Sequence, residues 1–245
     1  MDRMLYIAMS GAKEIMLQQA NTANNLANAD TTGFKRDFQA FKAVPIVGPG
    51  YASRVYTQDA GVGADFTPGP LIATGNPLDI AIKGQGWIAV QGPNGKEQYT
   101  RAGNLHIDAN GILTTAQGYP VLGSSGPVSI PPSSKIAIGS DGTITVQPNG
   151  QGPNALAVVG QIKLVNPPAK NLIKAADGLM QTRNGQPAPV ANVSVESGML
   201  EGSNVNTVDS LVHMISLSRQ YELQVKAMRT AQQNAQASAQ LIKLG

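Results

Sequence analysis

Three carboxylates are the side chains of this sequence best suited to catalysis, because they fall in or beside the predicted strands of one region. They are Asp79, Glu97 and Asp108. Two carboxylates that face each other can hydrolyse a glycosidic bond, one as the acid and the other as the base or nucleophile. Acidic side chains are also routine beside hairpin turns. The sequence therefore leaves open a secreted β domain that binds or cleaves cell-wall glycan, and a structural role for the three acids is the simpler interpretation.

The residue patterns of other enzymes are missing. The sequence has no cysteine, which excludes disulfides and Cys-based zinc sites. Its two histidines, His106 and His213, lie far apart in the chain. No Ser sits in a nucleophile elbow, no glycine-rich loop ends in Lys-Ser or Lys-Thr, and the GQG at 84–86 lacks the third glycine of a dinucleotide-binding turn. We therefore expect no enzyme activity, no cofactor and no metal.

The charge content argues against two classes of partner. The net charge of +3 is too small to indicate nucleic acid binding. Lys35 and Arg36 lie among Phe34, Phe38 and Phe41, but two basic residues are too few for a single-strand binding surface. No run of about 18 apolar residues is present, so we expect no membrane span. The first residues lack the features of a Sec signal peptide, which predicts a cytoplasmic protein unless another export route reads an uncleaved N-terminus.

The elements that position these residues are organised around the C-terminal stretch, residues 206–244. Apolar or small residues recur there at alternating steps of three and four, which is typical of a heptad-like seam. They are Leu211, Met214, Ser218, Tyr221, Val225, Met228, Gln232, Ala235, Ala239 and Ile242. We expect Asn206 to cap this helix. At 1.5 Å per residue the helix would be about 58 Å long, so its seam requires a partner helix.

Residues 2–28 predict that partner helix. Its narrower seam follows the same spacing through Leu5, Ala8, Ala12, Ile15, Gln19, Thr22 and Leu26. Two interpretations remain open: one amphipathic helix that packs on its own domain, or two terminal helices that pair and also pack on neighbouring subunits. On the second interpretation we expect contacts between subunits at nine positions. These are Leu5, Ala12, Ile15, Leu26, Leu211, Met214, Tyr221, Val225 and Met228.

The middle of the chain predicts strands. Gly and Pro interrupt residues 45–77, so we expect an extended linker or loop over 35–77, with a short strand possible only at 51–57. Strand windows follow at 79–83, 87–90, 98–101, 105–108, 112–114, 135–138, 143–146, 156–165 and 179–182. Hairpin turns are predicted at Gly92–Gly95, Asn110-Gly111 and Asp141-Gly142. Residues 183–202 form a second connection rich in Gly and Pro.

The predicted fold class is α+β. Long N- and C-terminal helices, residues 1–34 and 203–245, are expected to form a coiled-coil-like layer. Residues 35–77 are expected to link this layer to an inserted antiparallel β domain, residues 78–202, of an irregular sandwich or barrel type. A head-to-tail contact between such subunits that does not close produces a helical filament.

Three groups of residues, in order along the chain, resemble the signatures of bacterial flagellar rod and hook proteins. The first is NNLAN at 24–28 followed by TGFKR at 32–36. The second is LDIAIKGQGW at 78–87 with YTRAG at 99–103, and the third is GMLEGSNV at 198–205 with MI at 214–215 and YE at 221–222. The resemblance covers essentially the whole chain. It implies that Asn24, Asn25, Asn28, Gly33 and Phe34 are motif residues of the family.

The resemblance implies a structural subunit of the rod in the flagellar basal body, within the periplasm. Subunits would stack helically into a hollow drive shaft that transmits torque, with terminal helices as the inner tube and the β domain outside. The implied partners are other copies, the neighbouring proximal and distal rod proteins, and the flagellar type III export apparatus. WIAV at 87–90 and YELQVK at 221–226 are more similar to a proximal than to the distal rod protein, which remains the alternative within the family.

Overall fold

The structure, a computed structural model, describes residues 3–45, 55–150 and 156–243. The chain forms two compact units. Unit 1 consists of Met1–Ala29, Asp37–Gly63 and Val205–Gly245, and unit 2 of Asp30–Arg36 and Ala64–Asn204. Both units are therefore built from segments that are distant in sequence. Helices lie at both ends of the chain and strands fill the middle, which confirms the predicted α+β class.

Unit 1 is built on two long helices. They are α1, Arg3–Ala27, and α2, Thr207–Lys243. The two helices pack against each other, and the side chains that they bury are mostly small: Ala8, Ala12, Ile15, Leu217 and Ala231. The two helices are in contact at Gly11, because a Cβ added there would lie 3.2 Å from the side-chain amide nitrogen of Gln224. The predicted helices over 2–28 and 206–244 agree with these bounds to within a residue or two at each end.

The start of α2 is capped as the sequence predicts. The side-chain oxygen of Asn206 accepts hydrogen bonds from the backbone N–H of Val208 at 3.0 Å and of Asp209 at 3.2 Å. These are donors that the first turn of a helix cannot satisfy internally. Asp209 is also the acidic residue of that first turn, where the helix dipole favours a negative charge.

Unit 1 also contains a two-stranded ribbon that the sequence does not predict. It is formed by β1, Asp37–Pro45, and β2, Val55–Ala64, whose last residue belongs to unit 2. The prediction of a linker without regular structure over 35–77 was therefore wrong for these residues. One of the glycines that suggested a loop, Gly63, instead makes room for a ring, because a Cβ at this position would lie 2.5 Å from Cζ of Phe38. Residues 55–57 of the predicted short strand at 51–57 are in β2, and residues 51–54 lie outside the described residues.

Unit 2 holds the other sixteen strands of the described residues. They are β3 Leu71–Ala73, β4 Ile80–Lys83, β5 Trp87–Gln91, β6 Glu97–Thr100, β7 Leu105–Ile107, β8 Leu113–Thr115, β9 Leu122–Gly123, β10 Gly126–Pro127, β11 Ser133–Ile138, β12 Thr143–Pro148, β13 Ala157–Gln161, β14 Leu164–Val165, β15 Leu172–Lys174, β16 Met180–Thr182, β17 Ser194–Ser197 and β18 Met199–Glu201. A single 3₁₀ turn occupies Ala169–Asn171. Every predicted strand window overlaps one of these strands.

The sheets of unit 2 are small and antiparallel. The largest has the order β14-β5-β6-β16-β15, and a second has the order β11-β12-β13. The remaining strands pair two by two, β3 with β18, β4 with β17, β7 with β8 and β9 with β10. The three predicted turns connect β5 to β6, β7 to β8 and β11 to β12, which confirms these hairpins.

The predicted connection over 183–202 also contains two strands. β17 pairs with β4, with Ser197 opposite Ile80, and β18 pairs with β3, with Glu201 opposite Leu71. The expectation of a connection without strands was wrong, because the partners of both strands lie more than a hundred residues earlier. A pairing at that separation leaves no local turn signal.

Two clusters of buried side chains form the interior of unit 2. The larger cluster is aliphatic and includes Ile80, Ile88, Leu113, Ile144 and Ile162. The smaller cluster contains Trp87 and Tyr99, and the ring of Trp87 meets Phe66 edge-on with centroids 5.5 Å apart. Trp87 is 5% exposed and anchors this smaller cluster. Among the described residues, no helix is long and apolar enough to cross a membrane.

Candidate functional site

The helix pair of unit 1 has an inner seam that the chain itself covers. On α2 this seam runs through Met214, Leu217, Tyr221, Met228 and Ala231, at steps that follow the helix period. Leu217 is 1% exposed. On α1, Ala12 and Ile15 are buried, whereas Leu5 and Leu26 are half-buried. Eight of the nine residues expected to contact other subunits, Leu211 excepted, therefore lie on or beside the seam between the two helices of one chain.

The ninth residue, Leu211, lies on a different face of α2, which we call the outer stripe. The stripe consists of Val208, Leu211, Val212 and Ile215, which are 65%, 49%, 62% and 56% exposed. Their spacing of three, four and seven places them on one side of the helix. Leu217 follows Ile215 by two residues, which turns it about 200° round the helix. The outer stripe is therefore opposite the inner seam.

The helix α1 also has exposed apolar residues away from its buried face. They are Tyr6, Met9, Met16 and Leu17. Both helices thus carry exposed apolar residues outside the seam that they share. Soluble monomers rarely expose contiguous apolar surface of this kind, and such a patch is typical of a protein interaction site.

The first motif residues, in unit 1, connect the end of α1 to β1. The Asn25 side-chain amide donates to the carbonyl oxygen of Asp37 at 2.8 Å, and its oxygen accepts from the N–H of Asp37 at 2.8 Å. The Asn28 side chain donates to the carbonyl of Asn24, one of the last carbonyls of the helix, at 2.9 Å. Asn25 thus pairs with both backbone groups of Asp37, and Asn28 adds a second donor to the Asn24 carbonyl, which also accepts from the backbone N–H of Asn28 at 3.2 Å.

The later motif residues belong to unit 2, and Gly33 is the most constrained of them. Its backbone φ is +69°, a conformation that favours glycine. A Cβ at this position would lie 2.2 Å from the backbone carbonyl carbon of Arg101. The N–H of Gly33 donates to the carbonyl oxygen of Glu201 at 2.7 Å. No other residue type fits here without movement of the backbone.

Phe34, the next residue, is covered by a cation. The ammonium of Lys174 on β15 lies 4.1 Å from the ring centroid of Phe34, within the range of a cation–π interaction. The carbonyl oxygen of Phe34 accepts from the N–H of Asn204 at 3.3 Å. The motif residue Phe34 therefore holds together segments that are far apart in sequence.

A buried group of three charged side chains lies beside Gly33, and we call it the charge triad. The Glu201 carboxylate contacts Lys35 Nζ at 2.5 Å and Arg101 Nη1 at 2.7 Å. The three side chains are at most 3% exposed. Removing one partner from such a group leaves an uncompensated buried charge, which typically costs about 3–5 kcal/mol.

Backbone groups complete the charge triad. The N–H of Gly69 donates to Oε1 of Glu201 at 3.0 Å, and Lys35 Nζ donates to the carbonyl of Thr67 at 2.8 Å. Arg101 donates from Nη2 to the carbonyl of Gly84 at 2.8 Å, and its guanidinium lies 5.4 Å from the ring centroid of Trp87. Arg101 Nε has no hydrogen-bond partner in the described part of the chain.

Two opposing effects set the ionisation of the charge triad. Burial alone would raise the pKa of Glu201, but the hydrogen bond from Lys35 and the charge of Arg101 outweigh it and leave that pKa below its usual value. Burial lowers the pKa of Lys35 despite the opposing hydrogen bond and charge of Glu201. The lowered pKa of Glu201 keeps its carboxylate ionised at neutral pH, facing the two basic side chains of Lys35 and Arg101.

The three carboxylates first considered for catalysis are engaged in local structure. Asp79 accepts from the side chain of Asn76 at 3.1 Å, and Glu97 pairs with Lys163 at 2.7 Å and accepts from the Tyr99 hydroxyl at 3.1 Å. Burial raises the pKa of Tyr99 to about 12. Asp108 caps its turn by accepting from two backbone N–H groups, which lower the pKa of its carboxyl. These bonds favour the structural interpretation of the three acids.

Sequence reasoning found some of these features and missed others. It singled out Leu211, Gly33 and Phe34. It missed Val208 and Val212 and noted Ile215 only as part of the MI motif, because after Leu211 the heptad count followed the inner face. It also missed the charge triad, whose only sequence signal is that Lys35, Arg101 and Glu201 each lie in one of the three recognised motifs.

Comparison with family models covers both ends and the middle of the chain. Residues 5–35 match the model described as flagella basal body rod protein. Residues 81–146 match the flagellar hook protein FlgE/F/G D1 domain, and residues 196–241 match the flagellar basal body rod FlgEFG protein C-terminal model. The three models follow each other in the order of the three motifs.

Individual relatives match over the full length. The chain is 39% identical to the flagellar basal-body rod protein FlgF of Salmonella typhimurium, with both proteins covered completely. The same identity and coverage hold for FlgF of Escherichia coli K12. Identity to the flagellar basal-body rod protein FlgG of Buchnera aphidicola (strain Sg) is 31%, over 97% of this chain and 98% of that protein. This chain therefore belongs to the family of flagellar basal-body rod proteins and is most like its FlgF members.

Proposed function

We propose that the chain is a structural subunit of the flagellar basal-body rod and joins other copies and neighbouring rod proteins through the outer faces of its terminal helices. Full-length identity to proteins named FlgF supports the rod assignment. The outer stripe of α2 carries the proposal about the faces. It presents four large apolar side chains that remain 49–65% exposed in the described part of the chain.

The physical argument concerns what these helices gain by association. Each Å² of apolar surface removed from water contributes about 25 cal/mol. Burial of the exposed stripe against another molecule would therefore stabilise the assembly. On the α1 side of the inner seam, the buried residues include Ala8 and Ala12, which have little apolar area to bury. Association then adds a second covered face to each helix, as is typical of helices inside larger bundles.

The finer features of the proposal follow from this arrangement. The inner seam, with Val225 at its edge, holds the two helices of one copy together in a coiled-coil-like pair. The outer faces bind the next copy head-to-tail, so that the contacts continue as a helical array. A hollow shaft built in this way would transmit torque through many small contacts. Export through the type III apparatus and an outward β unit belong to the same proposal.

Position within the rod is proposed as proximal. Identity is 39% to the FlgF proteins of two bacteria and 31% to the FlgG protein of a third. This difference favours the FlgF position, with the distal position as the alternative. A density map of the intact basal body would distinguish the two.

The substitution Ile215→Asp tests the proposed face. A charge at this exposed position leaves the monomer folded, but it costs several kcal/mol when a neighbour desolvates it. We expect normal export and no completed rods, read as loss of motility and of basal bodies in electron micrographs. The control is Gln220→Asp, which adds the same charge about 140° round the helix and should retain motility. Normal motility with Ile215→Asp would contradict the proposal.

A further inference from the structure

Three segments that are remote in sequence meet at the charge triad. Lys35 belongs to the segment 30–36 that follows α1, and Glu201 to the segment 198–204 that precedes α2. Arg101 lies in the body of unit 2, and the two ion pairs of Glu201 span 166 and 100 residues of chain. Glu201 is the member that both cations contact.

The charge balance makes Glu201 indispensable to the other two. Without its carboxylate, Lys35 and Arg101 would keep the carbonyl oxygens of Thr67 and Gly84 and the Trp87 ring as contacts, and the charge of Asp65 would act on Lys35 from a distance. Like charges in a buried site repel strongly because little water screens them. Loss of Lys35 has the opposite effect, since it leaves Arg101 and Glu201 as a neutral pair.

The backbone contacts reinforce this dependence. Gly33 donates its N–H to the carbonyl of the same Glu201, and Asn204 donates its own N–H to the carbonyl of Phe34. The Asn204 side chain accepts from the N–H of Arg36 at 2.8 Å and donates to the carbonyl of Asp65 at 2.8 Å. Segment 30–36 therefore has three bonding partners on segment 198–204: one carboxylate, one carbonyl and one asparagine.

We propose that Glu201 is the lock of a two-segment latch, so that the segment after α1 docks on unit 2 only when the segment before α2 is in place. The two segments close as one cooperative element, although 166 residues separate the paired charges. The Glu201 carboxylate pairs with the basic side chains, and the hydrogen bonds of the Gly33 amide and of Asn204 hold the two segments in register. The latch then fixes, within unit 2, the positions of the segment that follows α1 and of the segment that precedes α2.

The latch also predicts an order of events in folding. A chain that lacks residues after 197 keeps two cations but no carboxylate at this position, so segment 30–36 stays undocked. Local opening of one segment must release the other, since the contacts are shared. Unit 2 retains its two apolar clusters in either case, because none of the latch residues belongs to them.

Hydrogen–deuterium exchange of the full-length chain, read by mass spectrometry, tests the latch. The variant Glu201→Gln keeps the shape and removes the charge, and Glu196→Gln, at an exposed glutamate on β17, is the matched control. We expect peptides covering 30–36 and 198–204 in Glu201→Gln to exchange on the order of 100-fold faster together. Peptides of β5 and β8 should exchange as in wild type, and Glu196→Gln should change nothing. Unchanged protection of 30–36 would overturn the proposal.

A second pair of variants distinguishes the effect of the Glu201 charge from a loss of side-chain packing. Lys35→Met should loosen 30–36 less than Glu201→Gln does, because the remaining Arg101 and Glu201 are neutral together. The double variant Lys35→Met/Glu201→Gln should exchange more slowly than Glu201→Gln alone, since it buries one unpaired cation in place of two. Additive loosening in the double variant would overturn the latch even if Glu201→Gln alone proved poorly folded.

Discussion

Gly33 donates its backbone N–H to the carbonyl oxygen of Glu201 over 2.7 Å, while the carboxylate of the same glutamate binds Lys35 two residues after that glycine. One residue of β18 thus holds the turn after α1 through both its backbone and its side chain. The contact requires close approach, because the backbone of Arg101 fills the space where a side chain of residue 33 would begin.

Replacement of Gly33 by alanine should therefore destabilise unit 2. The left-handed conformation costs a residue with a Cβ about 1–2 kcal/mol, and the overlap with the Arg101 backbone adds to it because backbone cannot move aside cheaply. We expect a total loss above about 3 kcal/mol in the free energy of unfolding. Urea unfolding of the purified chain measures this loss.

Gly185→Ala is the control for the Gly33 prediction. Gly185 has nearly the same φ, +67°, but nothing lies within 4 Å of its virtual Cβ. It should show only the conformational cost, about 1–2 kcal/mol. Equal losses for the two variants would mean that the close approach to Arg101 contributes nothing.

The terminal helices and hairpins were predictable because their signals are local. The seams of α1 and α2 repeat with the helix period, and Asn206 precedes the helix that it caps. Asn110-Gly111 and Asp141-Gly142 specify tight turns through their own backbone preferences. Such patterns need no knowledge of what the rest of the chain does.

The features that were missed depend on distant partners. β17 and β18 are strands because they pair with β4 and β3, and no residue pattern at 194–201 predicts that pairing. The charge triad joins Lys35 to a residue 166 positions away. The residues Val208, Val212 and Ile215 of the outer stripe are apolar in the sequence. When a helix has two apolar faces, however, its periodicity does not show which face packs against the partner helix of the same chain.

The stability supplied by Glu201 should disappear in acid. Its pKa is lowered in the folded chain, so its contribution is complete above its usual value near 4.5 and is lost as the pH falls through the lowered pKa. Wild type should be more stable than Glu201→Gln at pH 7, and the gap should close on acidification. Urea unfolding of both proteins from pH 7 to pH 3 measures the gap. A gap that is constant over this range would contradict the predicted ionisation.

Lys35 should behave in the opposite way at high pH. Burial lowers its pKa, so between that lowered pKa and the usual 10.5 the unfolded chain binds more protons than the folded chain. Stability from Lys35 then rises with pH in this window. The free energy of unfolding of wild type, measured relative to Lys35→Met, should be greater at pH 10 than at pH 7. A decrease would show that the ammonium is stabilised, rather than strained, by its buried position.

The inner seam and the outer stripe should respond differently to truncation. Leu217→Ala removes a side chain that is 1% exposed, so the helix pair should lose about 2–4 kcal/mol. Ile215→Ala removes a side chain that is 56% exposed and should change monomer stability by less than about 0.5 kcal/mol. Helix unfolding followed by circular dichroism distinguishes them. A larger loss for Ile215→Ala would reverse the assignment of the two faces.

Chemical labelling of a single cysteine most directly tests the claim that assembly covers the outer stripe. The chain has no cysteine of its own, so Ile215→Cys introduces one unique thiol. Lys135→Cys, at an exposed position of β11, is the control. We predict that a maleimide labels both variants in the free chain, but labels only the Lys135→Cys protein in purified basal bodies. Equal labelling of Ile215→Cys in the free chain and in the basal body would contradict the account.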